Sequence, residues 1–198
     1  MSTWMFVRDV MRRPTQMGAI APSSKALARA MVDEAQLAPG QHVAELGAGT
    51  GVFTREIVTR FPDLPLAVFE PGAELVVALR AEFPRAHVTE RLAHELPDFV
   101  DALGFPRVDR VVSGLPWAIF PLEVQTAILD AVVSRMPADG RLVTFQYLHS
   151  QVMPGAAVLN RLLAERFATV TPSAAVWANL PPAFVIAASN PHHPGRPR

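Results

Sequence analysis

The 198-residue chain has no cysteine, one lysine (Lys25) and one tyrosine (Tyr147). Without cysteine there is no disulfide, no thiolate nucleophile and no thiolate metal site. No apolar run approaches the roughly 20 residues that a membrane-spanning helix needs. The N-terminus lacks the basic, apolar and small-residue order of a secretory signal, so the expectation is a cytoplasmic protein, soluble or attached peripherally to a membrane. Net charge is missing too: 18 Lys+Arg face 18 Asp+Glu. A general nucleic-acid binder carries a basic excess to meet phosphates, which argues against that class. The charge is unevenly placed, however. Residues 1–25 hold Arg8, Arg12, Arg13 and Lys25 against Asp9 alone, a local charge of +3.

Half of the residues are apolar, enough for one domain with a proper core. The first 13 residues read as an amphipathic helix with Trp4, Phe6, Val7, Val10 and Met11 among the charges, ended by Pro14. After a loop through Gly18 and Pro22, Ser23 or Ser24 can cap a helix running to about Glu34. From residue 41, short apolar strands alternate with helices. The strands are predicted at 42–46, Leu66–Phe69, Ala86–Val88, Val108–Ser113, Arg141–Tyr147, Ala168–Val170 and Ala183–Ala188. The helices follow the first two strands and occupy about 120–136 and 156–166. This alternation predicts an α/β fold with a mostly parallel seven-stranded sheet covered on both faces. The short connection between the last two strands leaves no room for a helical crossover, so they are expected to run antiparallel. The expected division is 1–22 as helix and covering loop, 23–190 as the domain and 191–198 as a polar, proline-rich tail.

Glu45-Leu46-Gly47-Ala48-Gly49-Thr50-Gly51 lies between a predicted strand and helix. Glycines there let the backbone turn tightly and approach a ligand. A phosphate-binding P-loop needs Lys-Ser/Thr after its last glycine, and Val52-Phe53 stand there. A dinucleotide loop wants its third glycine where Val52 is. The acidic-x-Gly-x-Gly-x-Gly spacing instead resembles the S-adenosylmethionine loop of Rossmann-like class I methyltransferases. Glu70 ends the next strand, 19 residues after Gly51, near the spacing at which a carboxylate meets ribose hydroxyls in doubly wound folds. It accepts two hydrogen bonds and suits a vicinal diol; Pro71 follows it on the cofactor side. Glu45 is similar to the acid that supports the methionine part of the cofactor in this class.

Ligands in such sheets bind beyond the carboxyl ends of the strands. The fourth strand ends in Ser113-Gly114-Leu115-Pro116-Trp117, which resembles the Asn-Leu-Pro-Tyr motif of RNA adenine dimethylases with Gly114 in place of Asn. The Asn carbonyl orients a planar aromatic amine. An aliphatic amine, sp3 once deprotonated, does not need that help. Trp117 is either an aromatic face for a cationic head group or a core residue at a helix start. Tyr147 and His149 follow the fifth strand at the same end, where Tyr147 can orient an amine and His149 is either a proton acceptor or a loop histidine.

Several segments together resemble the bacterial phospholipid N-methyltransferases: Gly18-Ala19-Ile20-Ala21-Pro22-Ser23-Ser24, the loop Glu45–Gly51, Phe69-Glu70, Ser113–Pro116 and Trp177-Ala178-Asn179-Leu180-Pro181-Pro182-Ala183. The resemblance covers nearly the whole chain. It implies S-adenosylmethionine-dependent methylation of phosphatidylethanolamine toward phosphatidylcholine at the inner membrane face. It also implies that Trp4, Arg8, Arg12 and Arg13 of the first helix meet anionic lipid, although the same helix can pack on the domain as a lid. Ser23, Ser24 and Lys25 would meet lipid phosphate or close over the cofactor, unless the serines only cap. The sequence departs from the family after the third strand, where Val88-Thr89-Glu90-Arg91-Leu92 lacks the usual Asp. Either Glu90 takes the adenine contact or Leu92 supplies backbone and packing. No metal is expected, since His192 and His193 fall in the tail. Methylation of RNA adenine or a small amine, and a non-catalytic S-adenosylmethionine-binding module, stand as alternatives; oligomeric state is open.

Overall fold

The computed structural model describes residues 3–12 and 23–192. Its helices are α1 (Thr3–Arg12), α2 (Lys25–Ala35), α3 (Val52–Arg60), α4 (Ala73–Glu82), α5 (Leu96–Ala102), α6 (Leu122–Arg135) and α7 (Pro154–Arg166). Its strands are β1 (Val43–Leu46), β2 (Leu66–Phe69), β3 (His87–Thr89), β4 (Arg110–Ser113), β5 (Arg141–Tyr147), β6 (Phe167–Pro172) and β7 (Ala183–Pro191). They form one sheet in the order β3-β2-β1-β4-β5-β7-β6. β1 to β5 are parallel, while β7 runs antiparallel to both β5 and β6, as the short final connection requires. The strand order reverses between β1 and β4, and the glycine loop leaves the sheet at that switch point.

Successive strand residues feed two cores, because strand side chains alternate between faces. Leu46, Phe69, Val111 and Leu142 enter one core with α5, α6 and α7. Val43, Val68, Val112 and Val143 enter the other with α2, α3 and α4. Both faces are covered, which is why the strands are continuously apolar rather than alternating.

Several elements differ from expectation, among them β4, which starts at Arg110, and β7, which runs on to Pro191. β3 is His87–Thr89, one residue later than predicted. α5 was not predicted, being only seven residues long. β6 extends to Pro172, which is tolerated on an edge strand. At the C-terminus, Pro191 pairs with Phe167 and the His192 N–H donates to the Arg166 carbonyl at 2.8 Å, so the ordered edge passes the expected boundary at 191. Arg13 and the 18–22 segment lie outside the described residues.

Candidate active site

The loop after β1 turns through Gly47, Gly49 and Gly51 at φ of 75, 55 and 77°, the left-handed region that favours glycine. Gly47 N–H donates to the Phe69 carbonyl at 2.8 Å, tying the loop to the end of β2. Gly51 caps α3 without a side-chain bond, which leaves first-turn N–H groups open. A side chain at Gly51 would also collide with Leu79 at 2.8 Å and Phe83 at 2.9 Å. Ala48 is buried beneath the loop and Thr50 is exposed at its tip.

Glu70 faces this loop from the end of β2 and is almost fully buried. One carboxylate oxygen accepts the Gly49 N–H and the other the Gly72 N–H, each at 2.8 Å. Burial raises its pKa, and the amides of Gly72 and Gly49 pull it back. The two amides fix the carboxylate while each oxygen keeps a lone-pair site, which fits a vicinal diol.

Glu45, in the middle of the switch-point strands, is fully buried and neither oxygen has a hydrogen-bond partner among the described residues. The Thr54 hydroxyl and N–H are the nearest donors to it, though the hydroxyl makes no well-formed hydrogen bond. Desolvation pushes the Glu45 pKa up to about 7; Thr54 opposes the rise and the charge of Glu70 adds to it. A buried carboxylate whose nearest donors, the Thr54 hydroxyl and N–H, do not offset its desolvation is costly, and a cationic group arriving at the loop would relieve it. The ammonium of S-adenosylmethionine's methionine part is such a group. Glu45, the glycine loop and Glu70 therefore fit this cofactor, with Glu45 toward the ammonium and Glu70 toward the ribose.

Beside Glu70 a cleft is lined by Gly47, Phe69, Pro71, Arg91, Leu92 and Leu115. Leu92 lines this cleft, with the Arg91 guanidinium 5.7 Å over the Phe99 ring. Of the two expected adenine contacts, Leu92 lines the cleft and exposed Glu90 does not. The cleft is covered by α1. Trp4 stacks on His94 at 3.7 Å, and Val7 is 2% exposed within the first core. Of the two readings left open for this helix, Trp4 and Val7 pack over the cleft as a lid does, while Met5, Arg8 and Asp9 are exposed. The helix pattern shows an apolar face but not what covers it.

The acceptor strand also departs from expectation. A Cβ on Gly114 would stand 2.6 Å from the Gly47 carbonyl oxygen and 3.2 Å from Phe53. The two loops touch backbone to backbone, and no Asn-like side chain fits. Trp117 is 2% exposed, and its indole N–H donates to the Ser113 hydroxyl at 3.0 Å. A head group cannot reach its face; of the two readings, the core aromatic holds. Leu115 is buried and Pro116 half-buried, so the Ser113–Trp117 turn lines the site mainly through Leu115. The turn is held by Gln125, which sequence reasoning missed. Its buried amide reaches the carbonyls of Trp117 and Phe120 at 2.9 Å and of Gly155 at 3.0 Å. The available signal was a polar residue on the apolar face of α6.

Tyr147 ends β5. Its ring stacks on His149 with centroids 5.5 Å apart, and its edge meets Phe145 at 5.4 Å. Its hydroxyl is buried without a partner among the described residues, and burial pushes its pKa up to about 12. His149 is exposed. Ser24 caps α2 by accepting the Leu27 N–H at 3.1 Å, while Ser23 is half-buried and Lys25 exposed. Asn179 was noted in sequence without a role. It accepts the Ser24 N–H at 2.8 Å. Among the described residues no group of three or more His, Asp or Glu is arranged to hold a metal, and no helix is long and apolar enough to cross a membrane.

The site therefore presents an anchored diol acceptor, an unsatisfied buried carboxylate and an unsatisfied hydroxyl at the carboxyl end of the sheet. No family model matches the chain. It is 33% identical over 141 residues to an ornithine lipid N-methyltransferase of Singulisphaera acidiphila, covering 69% of this chain and 73% of that protein. Among solved structures it resembles TrmN from Thermus thermophilus, with TM-score 0.66 and 18% identity over 91% of this chain. It also resembles the T. thermophilus 16S rRNA N2 G1207 methyltransferase RsmC, solved with AdoMet and guanosine, with TM-score 0.61 and 16% identity over 91% of this chain. The chain spans 53% and 43% of those two larger proteins. Fold, cofactor site and sequence relationship agree: the chain belongs to the family of the ornithine lipid N-methyltransferase and is an S-adenosylmethionine-dependent methyltransferase of class I fold.

Proposed function

We propose that the chain methylates the primary amine of a lipid head group, with phosphatidylethanolamine, on the way to phosphatidylcholine, as the acceptor. The observation that carries this reading is the contact of Gly114 with Gly47, which leaves no room for the carbonyl side chain a planar aromatic amine requires. An sp3 amine needs only alignment. The 33% identity to an ornithine lipid N-methyltransferase points to the same class, an aliphatic amine on a lipid. It also makes ornithine lipid the second acceptor to test.

S-adenosylmethionine, once bound, supplies an activated methyl group on a sulfonium. The protein's task is positioning and exclusion of water, since proximity and alignment are the main levers on such a displacement. Glu70 would hold the ribose, Glu45 would face the ammonium, and Pro71 and Leu92 would pack around the adenine. Trp4 and Val7 close the cleft above. The acceptor would be an amine nitrogen taking that methyl group by displacement, with the cofactor's sulfur as the neutral leaving group. The nucleophile must be the neutral amine, so one proton leaves it before attack. The Tyr147 hydroxyl, protonated at any working pH because of its burial, accepts a hydrogen bond from the amine and points its lone pair at the methyl group. The amine gives its proton to solvent, with exposed His149, stacked on the Tyr147 ring, as a nearby acceptor.

The test is incubation with radiolabelled S-adenosylmethionine and vesicles containing phosphatidylethanolamine, ornithine lipid or neither. Label in the organic phase only with an amine lipid is the expected result. Label in RNA or only in soluble amines would overturn the reading.

A further inference from the structure

Residues 142–160 contain no Asp, Glu, Lys or Arg, and neither do residues 167–195. These stretches supply the turn Leu148–Val152 after β5 and the loop 173–182 before β7. The two segments adjoin: Tyr147 pairs with Ala183, and the Leu148 N–H donates to the Pro182 carbonyl at 3.0 Å. On this uncharged rim three large apolar side chains stand in solvent, with Val152 90%, Trp177 74% and Leu180 80% exposed.

The rim has a fixed shape. Asn179, between Trp177 and Leu180, is 2% exposed. It accepts the Ser24 N–H at 2.8 Å and donates to the Pro181 carbonyl at 2.7 Å. Its own N–H reaches the Val176 carbonyl at 3.2 Å. A buried polar clamp thus holds the loop against the start of α2, beside exposed Lys25, while its apolar residues project outward.

The placement is not random over the surface. Among the described residues the large exposed apolar side chains are Met5, Val77, Leu122, Val152, Trp177 and Leu180. All but Val77 belong to segments at the carboxyl end of the parallel strands, the end that carries the glycine loop and Tyr147. Exposed apolar groups gathered on one end mark an interaction surface.

We propose that this rim docks on a lipid bilayer, with Trp177 and Leu180 entering the head-group boundary, Val152 beside them and Lys25 at the phosphates. The inference rests on the lipid-amine reading above and deepens it: an acceptor embedded in a bilayer is reached only if the carboxyl end of the sheet faces that bilayer. A protein partner needs hydrogen bonds and charges to set register, and the two loops of this rim offer no charged side chain, with Lys25 at its margin as the charge for phosphates. Tryptophan with an apolar body and one polar N–H suits the interface of membrane and water. Three apolar side chains give weak, reversible attachment.

The test is sedimentation of the full chain with phosphatidylcholine vesicles, with and without phosphatidylglycerol, at low and high salt. The double variant Trp177→Ser, Leu180→Ser is expected to lower the partition coefficient at least about tenfold, since each large apolar side chain withheld from lipid is worth about that much. The loss should persist at high salt, whereas Lys25→Gln should act only on anionic vesicles at low salt. Should the double variant misfold, Leu180→Gln alone and the blue shift of tryptophan emission on adding vesicles, lost in Trp177→Phe, give the same answer. Equal pelleting of parent and variants, or no vesicle binding by the parent, overturns the proposal. So does rim-dependent dimerisation in sedimentation velocity without vesicle binding. A monomerically dissolved short-chain phosphatidylethanolamine separates the two claims. If it is methylated while vesicle binding ignores the rim, docking fails and the lipid-amine reading stands. If no amine lipid is methylated in any form while the rim still governs binding, the acceptor assignment fails and the docking surface stands.

Discussion

Gly114 and Gly47 meet backbone to backbone across the switch point of the sheet, so closely that a Cβ on Gly114 would stand 2.6 Å from the Gly47 carbonyl oxygen. The contact joins the turn that faces the acceptor to the loop that holds the cofactor. Gly114→Ala must push the glycine loop aside or strain β4. Overpacking of this kind costs about 1–3 kcal/mol. Chemical denaturation should show that loss, and calorimetric titration should show weaker cofactor binding in the same variant. Gly114→Asn should behave worse and gain no activity on RNA adenine. An Asn variant that folds and binds cofactor like the parent would show that the loops are not in contact.

Glu45 ties stability and cofactor affinity together with opposite signs. Its folded-state pKa, raised to about 7 from 4.5, means that the folded chain holds this proton more tightly than the unfolded chain. The group therefore favours folding at pH below about 4.5, and that advantage is lost as pH rises through about 7. Glu45→Gln should stabilise the protein at pH 8 by up to on the order of 3 kcal/mol and by much less at pH 5. The same change removes the negative charge opposite the cofactor ammonium and should weaken binding at pH 8 about tenfold or more. In the parent, affinity should fall as pH drops below about 7, and in the variant this dependence should disappear. Thermal melts and titrations at both pH values check both halves.

The parts of the site that were legible in sequence are those whose chemistry is local. Glycines at 47, 49 and 51 announce a loop that only left-handed backbone can make, and Glu70 follows at the right distance on the next strand. The parts that were not legible depend on contacts between distant segments. Sequence shows that Gly114 replaces an Asn, but not that a carbonyl from the β1 loop fills the space. Trp117 in an acceptor motif looks like a ligand contact until Ser113 takes its N–H and Gln125 takes its carbonyl. An amphipathic α1 is equally consistent with lipid and with a domain surface, and the stacking of Trp4 on His94, which puts its Trp4 face on the domain, is not legible in the sequence. The sheet was largely readable because burial on both faces makes strands continuously apolar. The seven-residue α5 is too short to display a helical period.

Gln125 is expected to act on stability first and on turnover through the turn it holds. Its amide satisfies carbonyls from three segments: the 3-10 turn Trp117–Ile119, Phe120 and the start of α7. Gln125→Leu keeps the volume and takes the side-chain donor from these carbonyls, of which Trp117 still accepts the Phe120 N–H at 3.1 Å; each buried group left unsatisfied costs about 1–3 kcal/mol. Gln125→Glu replaces the donor with an acceptor and should be worse. Denaturation midpoints rank the two variants, and kcat should drop in both with little change in the dissociation constant for S-adenosylmethionine, because Gln125 supports the acceptor turn and not the glycine loop.

Tyr147 separates function from packing. Its hydroxyl is buried without a partner among the described residues, while its ring is held by Phe145 and His149. Tyr147→Phe keeps both ring contacts and removes an unsatisfied polar atom, so stability should be unchanged or rise by about 1 kcal/mol. If the hydroxyl orients the acceptor amine, kcat should fall about tenfold or more while cofactor affinity stays the same. Because burial holds its pKa near 12, the hydroxyl does not ionise in the neutral range. The pH profile of the variant should therefore keep the parent's shape at a lower plateau. A variant with the parent's kcat would remove Tyr147 from the acceptor site and leave alignment of the amine to Leu115 and the lid formed by α1.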